Sequence, residues 1–150
     1  MRSALRISRK QVRTNWQSGF ELIQKAAPGM LERDWGRILT IGSVQEVNPH
    51  PDMVVYSALK AAQTLMVRNL AKQFAASRVT VNNLAPGVID TDRNQRRLAD
   101  GIYKAEVLSL IPAGHTGDPL DCVGAALLLC SEAGRYITGQ SLLVDGGMSL

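Results

Sequence analysis

The 150-residue chain has few cysteines, few histidines and no long apolar run, the features that mark disulfide-rich, metal-binding and membrane-spanning proteins. It contains two cysteines and two histidines, and its longest apolar run, residues 124–130, is far shorter than the roughly 20 residues of a membrane-spanning helix. Cys122 and Cys130 lie on one predicted helix, about 12 Å apart along its axis, which exceeds disulfide reach. We therefore expect no membrane span, disulfide or metal site, and we expect both cysteines to be small apolar core residues.

The charge pattern also limits the possible partners. Lys and Arg number 17 against 13 Asp and Glu, but outside two small clusters the basic residues are scattered and no aromatic residues interleave with them. This pattern argues against a nucleic-acid partner. The first cluster, residues 1–13, has the composition of a transit peptide, yet its apolar positions continue into a predicted helix, which favours a solvated helix face. The expected location is cytoplasmic.

The remaining composition is that of one folded domain, with 45% apolar and 20% charged residues and no repeat or linker. Apolar residues spaced by three or four predict an amphipathic helix over residues 11–32, which we expect Pro28 and Gly29 to bend or interrupt. Further helices are predicted at 53–76, within 92–111 and from about 118; strands are predicted at 36–42, 78–85 and 140–147. This alternation predicts an α/β fold with a parallel sheet and right-handed crossovers.

A tyrosine and a lysine stand four residues apart near the start of the long helix, in the stretch "YSALK". Residues i and i+4 share a helix face, so Tyr56 and Lys60 are neighbours. A nearby ammonium lowers the pKa of a phenol and suits it to proton transfer. Ser43 follows the first predicted strand, at the edge where open α/β sheets bind ligands. The alternative is structural: a helix-start aromatic, a lysine that reaches water and a serine that begins a turn.

The ordered set of Ser43, "YSALK", "NNLAPGVIDT" and "GRYITGQSLLVDGG" resembles the carboxyl-terminal half of short-chain dehydrogenases/reductases, from about residue 10 to residue 150. The resemblance implies a partial doubly wound, Rossmann-type parallel sheet. It also implies an NAD(P)-dependent oxidoreductase that transfers hydride between a nicotinamide and an alcohol or carbonyl substrate.

The resemblance assigns roles to individual positions. Tyr56 would exchange a proton with the substrate oxygen, Ser43 would hold that oxygen, and Lys60 would bind the nicotinamide ribose and lower the Tyr56 pKa. Asn15 resembles the asparagine that holds a water in the family's proton relay, and a polar residue on a helix face is its simpler interpretation. Further cofactor contacts fall at Pro86, Gly87, Ile89 and Thr91.

The chain departs from the family pattern in having no Gly-rich turn of the form TGxxxGxG, so the amino-terminal Gly-rich βαβ half is absent from the sequence. The choice between NAD and NADP is therefore not readable. The first strand should lose its inner neighbour, and we expect the bare edge to favour a homo-oligomer or a partner chain. A truncated chain, either a non-catalytic assembly subunit or one without an independent role, is the alternative to an active enzyme.

The substrate is poorly defined by the sequence. Residues 92–112 correspond to the family's variable lid and carry Arg93, Arg96, Arg97 and Lys104, which would attract an acidic group or simply form a solvated face. Val44, Pro49 and Met53 would give the pocket a moderately apolar lining.

Overall fold

A computed structural model describes residues 9–150. The interpretation of residues 1–13 as a transit peptide or a helix face therefore lies largely outside the described residues. The helices are α1 (Arg9–Val12), α2 (Ser18–Glu32), α3 (Val54–Phe74), α4 (Asp92–Leu98), α5 (Gly101–Ser109) and α6 (Val123–Cys130). The strands are β1 (Gly36–Ile41), β2 (Val79–Pro86) and β3 (Ser141–Val144). Each predicted strand is present, and none of its ends differs from the prediction by more than three residues.

The three strands form one parallel sheet in the order β1-β2-β3. The β1–β2 register runs from Gly36 opposite Val79 to Ile41 opposite Leu84. β2 has a neighbour on both sides and is buried along nearly its whole length, with the polar residues Thr80, Asn82 and Asn83 among its buried positions. The predicted parallel α/β fold is confirmed.

The first helical region runs without a break from α1 through a π-helical turn, Arg13–Gln17, into α2. The prediction that Pro28 interrupts this helix is wrong, because α2 continues past it to Glu32. Proline removes the hydrogen bond that its nitrogen would donate to the carbonyl of Gln24. Both Pro28 and Gln24 are exposed, so water can satisfy that carbonyl, and the helix tolerates the proline in its final turns.

The main apolar core lies between α2, α3 and the sheet. Its buried members are Ile23, Ala27, Ile38, Val67, Ala71, Val79 and Val81. Val67 and Ala71 come from the second half of α3, whereas the inward positions of its first half are the polar residues Ser57, Lys60 and Gln63. α3 therefore anchors itself in the core at one end and presents polar groups to the sheet at the other.

The two cysteines do not lie in the core. Cys122 is half-buried and Cys130 is exposed, so the prediction that both are core residues is wrong. Although α6 is apolar nearly all round, Leu129 is its one buried residue, and Leu127 beside it is exposed. Apolar composition alone does not show which face of such a helix meets the sheet. Both thiols are free.

β1 has a single sheet neighbour among residues 9–150, so its other edge is open. Ile41 at the end of this strand is 54% exposed. A cavity of about 430 Å³ runs along the edge between β1 and the helical region before it, and its lining includes Asn15, Ile23, Leu39 and Lys60. The predicted bare edge is confirmed. No helix within residues 9–150 is both long and apolar enough to cross a membrane.

Candidate active site

The predicted site residues gather at one end of the sheet because parallel strands end on the same side. Ser43 lies two residues after β1, and Gly87 follows β2 directly. Asp145 follows β3 and packs against Gly87, where a side-chain Cβ would lie 2.7 Å from the Asp145 Cα. This carboxyl end of the sheet is the region where open α/β folds bind their ligands.

Tyr56 and Lys60 occupy the first turns of α3, and Lys60 contacts the end of β1. The Lys60 Nζ lies 5.7 Å from the centre of the Tyr56 ring. It also donates a hydrogen bond of 2.6 Å to the carbonyl of Ile41, the last residue of β1. The predicted pairing of tyrosine and lysine is therefore present in the geometry, and the end of β1 fixes the lysine.

Lys60 is 9% exposed, so most of its side chain is shielded from water. Burial lowers the pKa of Lys60 from its ordinary value, and the negative charge of Glu46 acts in the opposite direction. An ammonium has three donors, and the Ile41 carbonyl uses one of them. The other two can bind hydroxyl groups of a ligand.

Ser43 begins a short 3₁₀ turn, Val44–Glu46, and caps it. Its hydroxyl accepts a hydrogen bond of 3.3 Å from the backbone nitrogen of Gln45, while Glu46 accepts one from the backbone nitrogen of Ser43. Gln45 joins the turn to α3, since its side-chain oxygen accepts a hydrogen bond from Ser57. Val44 points into the protein and is buried, so it does not provide the open apolar lining that the sequence suggested.

Asn15 lies within the π-helical turn, and it lines the same edge cavity as Lys60. Its side-chain nitrogen donates a hydrogen bond of 3.1 Å to the carbonyl of Gln11, one turn earlier. π-Turns inside α-helices are frequent at functional sites. The structure thus brings Asn15 to the side of the site, although its part in a proton relay stays a prediction.

The loop after β2 carries the remaining predicted contacts. Gly87 donates to the Val144 carbonyl at 2.9 Å, which ties the end of β2, Pro86, to β3. Ile89 forms an isolated bridge with Gly117, and its carbonyl accepts from Asn94. Thr91 precedes α4 but its hydroxyl does not cap that helix, so the hydroxyl is available to a ligand.

A group of polar residues beneath the site was missed by the sequence-based prediction. Asn83 is fully buried in β2 and contacts Glu46 through its side-chain nitrogen at 3.0 Å. Its oxygen accepts hydrogen bonds from Thr40 and from Gln63 of α3. Two adjacent asparagines in an otherwise apolar strand were the available signal, because a buried amide needs partners.

The basic residues of the predicted lid lie on α4 and α5, and all four are exposed. Arg97 packs its guanidinium over the ring of Tyr103 at 4.7 Å. This contact favours the solvated-face interpretation for Arg97.

Comparison with known proteins identifies the family. A family model described as enoyl-(acyl carrier protein) reductase matches residues 4–149. A chloroplastic tropinone reductase homolog of Arabidopsis thaliana is 38% identical over 137 residues, covering 91% of this chain and 42% of that relative. The crystal structure of a 3-oxoacyl (acyl-carrier-protein) reductase from Agrobacterium tumefaciens C58 with NADP bound is 38% identical. Its TM-score is 0.88, and the match covers 93% of this chain and 57% of that one.

A gluconate 5-dehydrogenase from Burkholderia cenocepacia, in complex with NADP and tartrate, is 32% identical with a TM-score of 0.89. The match covers 92% of this chain and 54% of that one. The chain spans about half the length of the curated relatives it matches. Because the family model covers nearly the whole sequence and the folds agree, the chain belongs to the short-chain dehydrogenase/reductase family.

Proposed function

We propose that the chain supplies the proton-transfer and nicotinamide-binding residues of an NAD(P)-dependent oxidoreductase acting on a small alcohol or ketone. One observation carries the proposal: α3 holds the Lys60 ammonium in a buried position, fixed by the Ile41 carbonyl and 5.7 Å from the centre of the Tyr56 ring. A buried cation that is costly to keep and lies beside a phenol is a feature of functional sites. The alternative, a lysine that reaches solvent, does not fit its burial.

Each residue has a distinct part in the proposed reaction. The Tyr56 hydroxyl gives a proton to the substrate oxygen during reduction and takes it back during oxidation. The Ser43 hydroxyl donates a hydrogen bond to the same oxygen, because its turn leaves the proton free while the oxygen accepts from Gln45. Lys60 places its positive charge beside the Tyr56 ring, and Asn15 holds a water that returns protons to the site.

The residues present fit the nicotinamide end of a dinucleotide. Gly87 has no room for a side chain beside Asp145, so the chain bends closely at the place where a flat ring would lie. Lys60 retains two donors that would bind ribose hydroxyls, and Pro86, Ile89 and Thr91 would hold the nicotinamide. When bound, the cofactor supplies or accepts a hydride. The relatives crystallised with NADP support an NAD(P) cofactor.

A direct test is steady-state turnover of a panel of ketones and alcohols with NADH, NADPH and their oxidised forms. Tyr56→Phe removes the proton donor and should lower kcat by at least about 100-fold. Tyr103→Phe, a change of the same kind on α5, should leave kcat unchanged. Equal turnover in the two variants would contradict the proposal.

A second proposal concerns the open edge of β1. Unpaired strand edges readily accept another strand, and Ile41 is exposed there beside the edge cavity. We infer that this edge pairs with the part of the family fold that the chain does not cover, on the same polypeptide or on another chain, or with a second copy.

Light scattering across a concentration series tests this pairing. Ile41→Lys places a charge at the edge and should shift any association to higher concentration, whereas Ile102→Lys, at a residue that is equally apolar and more exposed, should not. A monomer at every concentration would exclude self-pairing. The second arm adds the amino-terminal half of a relative to the chain. If that half does not bind, pairing of the β1 edge with the missing part of the fold is excluded.

A further inference from the structure

Glu46 lies at the centre of a polar network that no part of the proposed reaction yet uses. Its carboxylate accepts hydrogen bonds from the Asn83 side chain at 3.0 Å and from the Ser43 backbone nitrogen at 3.4 Å, and it contacts the Ser141 hydroxyl. These partners come from β2, the turn after β1, and β3. One carboxylate therefore joins all three strands at the floor of the site.

The space around this carboxylate is tightly shaped. Gly42 precedes Ser43, and a Cβ on it would collide with the Asn83 amide and the Glu46 carboxylate. The backbone can approach the network closely only because this residue is glycine. The network is thus a packed part of the site floor.

The network continues to Lys60 without interruption. The Asn83 oxygen accepts from Gln63 at 3.1 Å, and the same Gln63 nitrogen donates to the Ile41 carbonyl at 3.0 Å. That carbonyl also accepts from Lys60 at 2.6 Å. Glu46 is therefore connected to the Ser43 turn at one end and to the lysine at the other.

The charges around the network show why Glu46 matters to the lysine. In the part of the chain that the structure describes, the ion pairs are Arg37–Glu132 and Arg78–Asp34, and Glu46 belongs to neither. Neutral groups bind its carboxylate, so its negative charge is not cancelled locally. Within residues 9–150, Glu46 acts on Lys60 through its charge and Tyr56 lies beside Lys60 on the same helix, while Thr40 and Asn83 on the strands are neutral.

We propose that Glu46 is a positioning residue that fixes the Ser43 turn, and that its negative charge, linked to Lys60 through Asn83, Gln63 and the Ile41 carbonyl, favours the charged form of that lysine. The functional part of this inference rests on the roles proposed above for Ser43 and Lys60. The electrostatic part does not, because the protonation of Lys60 can be followed in the absence of cofactor, substrate or turnover. If Glu46 were only a structural cap, it would stabilise the turn, and its removal would leave the titration of Lys60 unchanged.

The test is an NMR titration of the Lys60 side chain in protein carrying ¹³C-labelled lysine, with the resonance assigned by its loss in Lys60→Met. Glu46→Gln keeps the shape and removes the charge, and it should lower the Lys60 midpoint. Asp52→Asn, a matched change at an exposed carboxylate of the neighbouring turn, should leave the midpoint unchanged. The same shift in both variants, or none in Glu46→Gln, would overturn the proposal.

Glu46→Asp extends the test if the Gln variant does not fold. This change shortens the side chain by one methylene and keeps the charge. It should lower the Lys60 midpoint, but by less than Glu46→Gln would, and an unchanged midpoint overturns the proposal. If wild-type protein shows the Lys60 titration but turns over no substrate, that result counts against the proposed enzyme function and not against the role of Glu46. The two proposals therefore fail on different measurements.

Discussion

The Ile41 carbonyl accepts a hydrogen bond of 2.6 Å from the Lys60 ammonium, and this contact joins the open edge of the sheet to the candidate active site. Ile41 is the last residue of β1, and its side chain is exposed at the edge where, within residues 9–150, the strand has no second neighbour. A strand that pairs with this edge would therefore border the residue that fixes the lysine. Pairing at the edge and order at the site are expected to change together.

Burial of the Lys60 ammonium predicts that the difference in unfolding free energy between Lys60→Met and wild type depends on pH. Its pKa in the folded chain is below the ordinary value of 10.5, so the charged form is disfavoured by folding at every pH below the folded-state value. As pH rises from that value towards 10.5, the folded protein gives up the proton first and its relative stability increases. Lys60→Met should be at least as stable as wild type at pH 7, and this advantage should shrink at pH 10.

Urea unfolding at the two pH values measures this effect. Lys104→Met, at an exposed lysine of α5, is the matched control, and its difference from wild type should not vary with pH. The explanation would be contradicted if the stability advantage of Lys60→Met over wild type grew between pH 7 and pH 10. Burial of the charged lysine would then not destabilise the folded protein.

Gly87→Ala should damage the cofactor end of the site through the backbone. The new Cβ would lie 2.7 Å from the Asp145 Cα, so β2 and the segment after β3 must move apart. A clash of this kind costs about 1–3 kcal/mol of unfolding free energy. Gly124→Ala in α6 meets no atom within 4 Å and should be neutral or stabilising, since alanine favours a helix. Thermal unfolding of both variants compares them, and equal melting temperatures would contradict the close approach of Gly87 to Asp145.

Asn83→Ala should destabilise the floor of the site more than a single hydrogen bond explains. It removes partners from Thr40, Gln63 and Glu46 at once, and the expected loss is at least about 2 kcal/mol. Asn69→Ala on the exposed side of α3 loses one bond to the helix backbone and should change stability by under about 0.5 kcal/mol. Similar losses from the two variants in chemical unfolding would show that the network is not cooperative.

The sequence predicted the parallel order of elements and the pairing of Tyr56 with Lys60, because both follow from local periodicity and spacing. Glu46 was missed although Ser43 and Glu46 have the three-residue spacing of a capping box. Its contacts with Asn83 and Ser141 depend on how β2 and β3 align, and no local pattern gives that register. The prediction that Pro28 interrupts the helix was wrong because it considered only the lost hydrogen bond of the proline. It did not consider that Gln24 is exposed, so that water can satisfy its carbonyl.

A fluorescence titration of the chain with NADH and NADPH tests most directly whether Lys60 binds the cofactor. We expect saturable binding that weakens by about tenfold or more in Lys60→Met, because a charged hydrogen-bond donor to the ribose is lost, and that is unchanged in Lys104→Met. Absence of saturable binding to the folded chain, or equal binding by the two lysine variants, would contradict the assignment of Lys60 to the cofactor.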